Sequence, residues 1–324
     1  MSNFLTDDTK AIILLCGVLE KDRSVNPLTQ VEYCKLVQWL ISEKMSPKDL
    51  LQHENIASVA MRIGVDQERF KTLLGRGVQL GFAVEEWKRN GIWVVTRSDK
   101  DYPVRYKRHL KDKAPPLLFG VGDRSLLQGG GVAIVGSRNV DDDGETFTRE
   151  TVELCVSNRM PIVSGGARGV DQIAMDVALE AGGITIGVLA ENLLRKSLER
   201  NVRDAISDSR LLLISPYHPS AHFTVGTAMG RNKLIYAMAD YGLVISAEHN
   251  KGGTWAGAQE ELKRENSLTV FVRPGANVPL GNKKLLDLGA IEWPEIKDRE
   301  KLSQRLEDLA GKHMKKNRQK EFKF

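Results

Sequence analysis

From Val132 onward the chain alternates between two kinds of pattern. Short runs that are apolar throughout occur at Val132–Val135, Pro161–Val163, Ile184–Leu189, Leu211–Ile214, Leu243–Ala247 and Thr269–Val272. Stretches with apolar positions three and four apart separate them, at Gly144–Ser157, Asp171–Ala181, Arg195–Ser207, Arg231–Tyr241 and Trp255–Asn266. A strand without a polar face is buried on both sides, and strands that alternate with helices predict a parallel sheet covered by helices. The predicted fold is therefore α/β, a Rossmann-like, doubly wound, mostly parallel sheet.

Residues 1 to about 90 have a different rhythm. Asp8–Leu19, Leu28–Ser42, Ser46–Leu51 and Gln67–Leu74 carry helical spacing, with Pro27 and Pro47 just inside expected helix starts. This predicts a small all-helical domain. Its one histidine, His53, is expected to be structural. Gly91–Thr96 and, after the double proline Pro115-Pro116, Leu117–Phe119 are expected strands. The expected division is residues 1–90, 91–295 and a final segment 296–324, which turns polar, helical and basic.

Chemistry concentrates where the apolar runs end. The first run stops at Gly136-Ser137-Arg138, and the second at Ser164-Gly165-Gly166-Ala167-Arg168. Arg231-Asn232-Lys233 is expected at the start of a helix, and Gly252-Gly253-Thr254 at the start of another. Helix starts present unpaired N–H groups and a positive dipole end. Arginine's planar fork suits phosphate. If the strands are parallel, these turns share one edge, and a phosphate-bearing ligand is expected there.

Other chemistries find less support. Gly136-Ser137-Arg138-Asn139-Val140 is not a G-x-G-x-x-G turn, so a dinucleotide cofactor is not expected, and there is no Walker motif. No cofactor and no metal is expected: His218 and His222 are four apart, but Pro219 argues against a helical zinc face. Trp255 is open to two readings, a platform for a base or a core residue.

Charge adds one qualification. The chain carries a net +5, and Gly311–Phe324 alone holds six Lys or Arg against one Glu, so residues 1–310 sum to zero. The basic balance is a tail property, either a solvated end or an arm for polyanions. No stretch approaches the roughly 18 apolar residues of a membrane span. The beginning lacks a signal-peptide pattern, and the three cysteines lie in apolar helical surroundings without CxxC spacing. A cytoplasmic protein without membrane contact is expected.

The chain resembles the DNA-processing protein A (DprA/Smf) family over roughly Ile92 to Ala290. The likeness is carried by Asp101-Tyr102-Pro103, Pro115–Gly120, Ile134–Arg138, Ser164–Asp171, Gly183–Leu189, Arg231–Ile235, Glu248, Pro274-Gly275 and Gly281-Asn282. It implies a protein that binds single-stranded DNA as a homodimer, protects strands during transformation and recombination, and loads a RecA-type recombinase, with no catalysis of its own. By this likeness Arg138, Arg168, Arg231 and Lys233 contact phosphates, and Ser137, Ser164, Gly165 and Gly166 donate from the loops. Asn232 and Gly252-Gly253-Thr254 complete the expected site together with Gly136.

The sequence also departs from the family pattern. Met175 follows Ala174 where the family has histidine; Ala228-Met229 replaces a Phe-Pro pair, with Phe223 displaced upstream; Lys233 replaces an arginine; and Gly252–Ala258 replaces a Ser-Gly-Ser-x-x-Thr-Ala run. These changes fall at the expected binding edge. Two alternatives therefore stand beside DNA binding. One is a phosphoribohydrolase-like enzyme, in which Glu260-Glu261 would assist cleavage of a nucleotide. The other is a sensor of a small nucleotide using the same edge.

Overall fold

The computed structural model describes residues 5–19, 25–52, 54, 56–296 and 301–321. His53 and Lys323 lie outside the described residues. The chain divides into two compact units: residues 1–121 with 191–195 and 214–221, and residues 122–190 with 196–213 and 222–324.

Among the described residues the first unit begins with five α-helices, α1 (Asp7–Cys16), α2 (Gln30–Ser42), α3 (Ile56–Ile63), α4 (Gln67–Leu74) and α5 (Gly77–Arg89), with a 3-10 helix at Pro47–Leu51 between α2 and α3. Helix α2 starts at a capping box rather than at Pro27: Thr29 accepts from the Glu32 amide, and Glu32 accepts from the Thr29 amide. Glu32 also receives both terminal nitrogens of Arg69, at 2.8 and 3.0 Å, which joins α2 to α4. Leu15, Leu36, Leu40, Phe70 and Leu73 close the core between these helices. Strand β1 (Trp93–Thr96) pairs antiparallel with β2 (Leu117–Val121), and α6 (Val104–Leu110) lies between them in sequence. Tyr102, fully buried, donates its hydroxyl hydrogen to the Pro115 carbonyl at 2.7 Å. That bond fixes the double-proline segment leading into β2.

The second unit holds β3 (Val132–Gly136), α7 (Asp142–Ser157), β4 (Ile162–Ser164), α8 (Val170–Glu180) and β5 (Thr185–Val188). The short helix α9 (Leu193–Ser197) precedes α10 (Arg200–Ser207) and β6 (Leu211–Ser215). There follow α11 (Val225–Met238), β7 (Tyr241–Ser246), α12 (Gly252–Leu262), β8 (Thr269–Val272), α13 (Leu280–Asp287), β9 (Ile291–Glu292) and α14 (Leu302–Glu321). The strand order is β6-β5-β4-β3-β7-β8-β9. The pairings β5/β4, β4/β3, β3/β7, β7/β8 and β8/β9 are parallel.

This is the mostly parallel, doubly wound sheet that the alternation predicts. From β3 the chain adds strands outward on one side as far as β6, then returns to place β7 on the other side of β3. The β3/β7 boundary is thus the point where winding reverses, and such a reversal leaves a crevice at the carboxyl ends of the two strands. The register also shifts there, between Val135 and Gly136. Ile134, Val152, Val170, Leu243, Phe271, Trp293 and Leu306 fill the core on one face, so the end of the sheet and the start of α14 share one apolar layer.

Two local expectations need correction. Helix α11 begins at Val225, six residues before Arg231, because Thr224 caps it through the Thr227 amide at 3.0 Å. Arg231, Asn232 and Lys233 therefore sit in mid-helix rather than at a helix start. The run 195–207 is two helices, since α9 ends at Ser197 before α10 begins at Arg200.

Candidate nucleic-acid interface

At the winding reversal an open cavity of about 420 Å³ lies over the ends of β3 and β7. Val135 and Gly136 reach it from β3, and Ser246 and Ala247 from β7. Eight of the expected site residues line it: Gly136, Ser137, Arg138, Arg231, Asn232, Gly252, Gly253 and Thr254. Ser164, Gly165, Gly166, Arg168 and Lys233 do not.

The first turn is set by close packing. Gly169, at φ +84°, lies against the Ser137 and Arg138 carbonyls, where a Cβ would overlap the backbone. The Val170 amide donates to the Ser137 carbonyl at 3.3 Å, and the Asn139 amide to the Ser137 hydroxyl at 3.1 Å. These contacts leave the exposed Arg138 projecting from the turn, its guanidinium carbon 5.1 Å from the centre of the Phe223 ring. Phe223 is 42% exposed, and Val225 and Met229 beside it are exposed as well. The cavity mouth therefore combines a cation, an aromatic face and apolar surface. Phe223 lies outside the set of residues expected at the site; its place just before the Thr224 cap of α11 is the sequence signal that brings it to the mouth.

The second turn is more inward than expected. Ser164 is buried and donates to the Ile134 carbonyl at 2.7 Å, so its hydroxyl serves the sheet rather than a ligand. Arg168 is exposed and donates to the Asn139 side chain at 2.9 Å, bridging the first and second turns. Arg231 is only 6% exposed, with a terminal nitrogen 3.6 Å from the Asp171 carboxylate. Burial raises the pKa of Asp171 above the ordinary carboxylate range; Arg231 and the backbone N–H groups of Ala167, Gly136 and Gly165 oppose that rise.

On the far side, Asn232 donates to the Gly253 carbonyl at 3.0 Å, and Thr254 donates its hydroxyl hydrogen to the Gly136 carbonyl at 2.9 Å. The start of α12 is thereby joined to both α11 and β3. The Lys251 side chain does not cap α12. Glu248 and Lys251 form an exposed ion pair at 3.1 Å on the rim.

Two alternatives lose support. Trp255 is 5% exposed and packs edge-on against His249, with ring centres 4.9 Å apart, so it is a core residue rather than a platform. Glu261 is buried, 3.3 Å from Arg264, and accepts from the Leu268 amide at 3.0 Å. Glu260 pairs with Arg264 at 3.1 Å. Neither carboxylate lines the cavity, so the proposed acid of a phosphoribohydrolase is not at the site. Among the described residues no group of three or more His, Cys, Asp or Glu is placed to hold a metal ion, and no helix is long and apolar enough to cross a membrane.

The family described as DNA recombination-mediator protein A matches residues 93–303 of the chain, which include every strand of the sheet. The chain belongs to that family. The DNA processing protein DprA of Bacillus subtilis is 29% identical over 198 residues, covering 59% of this chain and 63% of its own length. The chain thus matches less than two thirds of that relative. The structure of DprA from Streptococcus pneumoniae has the same fold, with a TM-score of 0.70 at 22% identity over 89% of this chain and 95% of that one. DNA processing protein A from Helicobacter pylori, described for its unique single-stranded DNA binding mode, aligns with a TM-score of 0.52 at 26% identity, over 67% of this chain and 95% of its own.

Proposed function

We propose that this chain is a single-stranded DNA-binding protein that holds the strand at the winding-reversal cavity and performs no chemistry on it. The observation that carries the reading is the position of the exposed Arg138–Phe223 pair at the mouth of a cavity over the ends of β3 and β7. Arg138 meets a phosphate, Phe223 stacks a base, and the first amides of α12, at Gly252 and Gly253, receive a second phosphate. Arg168 tracks the backbone beyond the cavity. Exposed bases are available for stacking only in a single strand, which is the selectivity this arrangement supplies.

The family assignment and the binding mode described for the Helicobacter pylori protein support the same reading. Strand protection in DNA processing and recombination, delivery to a RecA-type recombinase, homodimer formation, a cytoplasmic setting and independent helical, Rossmann-like and basic segments are finer parts of this proposal. The test is fluorescence anisotropy with a labelled single strand and its duplex across a salt series, for the wild type and Arg138→Ala. The expected result is strand-selective binding that weakens as salt rises, with a shallower salt dependence in the variant. Equal binding of strand and duplex, abolished only by removing residues 311–324, would overturn it.

A second reading has one observation in its favour: a cavity of about 420 Å³ lies in the usual range for small molecules. In that case mononucleotides or cyclic nucleotides raise the melting temperature and oligonucleotides do not.

A further inference from the structure

We infer that the buried Asp171–Arg231 pair is a clamp that sets the geometry of the binding edge, with Arg231 acting as a positioning residue rather than a phosphate ligand. The inference rests on the reading of the cavity as a single-strand site. Arg231 projects from the middle of α11 onto the second turn, and its guanidinium lies where a Cβ on Gly165 would be, so only glycine fits beneath it. Its terminal nitrogen is 3.6 Å from Asp171, and both side chains are 7% exposed.

Asp171, in the first turn of α8, also lies against Gly165, where a Cβ would come within 2.5 Å of its carboxylate, and the amide of its neighbour Val170 holds the Ser137 carbonyl at 3.3 Å. The pair therefore joins the second turn and the start of α8 to α11, and Gly169 and Val170, just before Asp171, hold the first turn against that helix start. The residue after Arg231, Asn232, holds the start of α12 through the Gly253 carbonyl at 3.0 Å. Two successive side chains of α11 thus brace opposite walls of the cavity. The exposed cations Arg138 and Arg168 ride on the two turns held at the start of α8.

A buried ion pair is a poor source of net stability, because desolvation offsets its attraction, whereas removing one partner strands the other charge. Arrangement of the turns is the gain that accounts for it here. A phosphate ligand must also give its charge to the strand, and the charge of Arg231 already faces a carboxylate inside the protein.

The test compares Asp171→Asn, Arg231→Met and the double variant Asp171→Asn/Arg231→Met with the full-length wild type. Single-strand affinity is measured across a salt series, and amide hydrogen exchange is followed over residues 136–138 and 165–168. The double variant removes both charges, so it stays folded even where a single variant does not. The expected result is an affinity loss of roughly tenfold from disordering of the turns. It comes with a salt slope equal to wild type, faster exchange in both turns, and a double variant no weaker than the weaker single one.

A salt slope reduced by about 0.7 in Arg231→Met would make Arg231 a phosphate ligand and overturn the inference. Unchanged exchange in both turns would also overturn it, whatever happens to DNA binding. Faster exchange in variants of a wild type that binds no strand would uphold the clamp and remove the single-strand reading instead.

Discussion

Phe223→Leu separates stacking from charge at the cavity mouth. The residue is 42% exposed, so shortening it to another apolar side chain leaves the fold within about 0.5 kcal/mol of wild type. What it removes is the aromatic face beneath the Arg138 guanidinium. Base–aromatic stacking is worth about 1–3 kcal/mol per base, which corresponds to a loss of roughly 5- to 150-fold in affinity. No phosphate contact is lost, so the ratio of wild-type to variant affinity stays constant as salt rises. Arg138→Ala behaves differently. One lost phosphate contact flattens the single-strand salt slope by about 0.7, so its defect shrinks by about 2.6-fold between roughly 50 and 200 mM salt. Anisotropy titrations of a labelled single strand at four salt concentrations, with melting temperatures alongside, distinguish the two behaviours. The reasoning fails if Phe223→Leu binds as tightly as wild type at every salt. It fails equally if its defect follows the salt dependence of Arg138→Ala, since the ring would then act only by holding the arginine.

Three further outcomes follow from packing and charge. Gly165→Ala places a methyl group where the Arg231 guanidinium lies, and overpacking of about 1–3 kcal/mol lowers the melting temperature in scanning fluorimetry; an unchanged melt would contradict the close packing. Trp255→Ala costs about 3–5 kcal/mol as a core truncation and leaves the single-strand affinity of the folded fraction unchanged; the reverse pattern, lost affinity with an intact melt, would restore Trp255 as a base platform. Glu32, hydrogen-bonded to Arg69 and to Thr29, is held down to about 2, below its usual 4.5. A carboxylate whose pKa is lower in the fold contributes stability that is present above its unfolded value and lost as pH falls through its folded one. Acid melts between about pH 5 and about pH 2 should therefore show a smaller loss of stability in Arg69→Ala than in wild type, and parallel curves would remove the pair as a cause.

What the sequence disclosed was governed by the range of the signal. Apolar runs such as Val132–Val135 and Leu243–Ala247 are local, because a strand buried on both faces has no polar position to confuse it, and the parallel sheet followed from them. The two-residue strand β9 carries too little pattern to be seen. Strand order is not local at all. That β7 lies beside β3 depends on where the chain re-enters the sheet, and this placement is what brings Ser137 and Gly253 to one cavity.

The sorting of arginines was hidden for a related reason. Arg138, Arg168 and Arg231 look alike in sequence, each near glycines or an asparagine. The Thr224 cap moves the start of α11 upstream, so Arg231 projects from mid-helix into the protein and meets Asp171, while Arg138 and Arg168 stay on turns that face outward. The difference is set by one capping bond at the start of α11 and by one buried carboxylate that lies 60 residues before Arg231 in the chain. A basic residue near a glycine turn thus has two opposite uses, as a hand extended to a polyanion or as an internal brace. Burial against a carboxylate assigns Arg231 to the second.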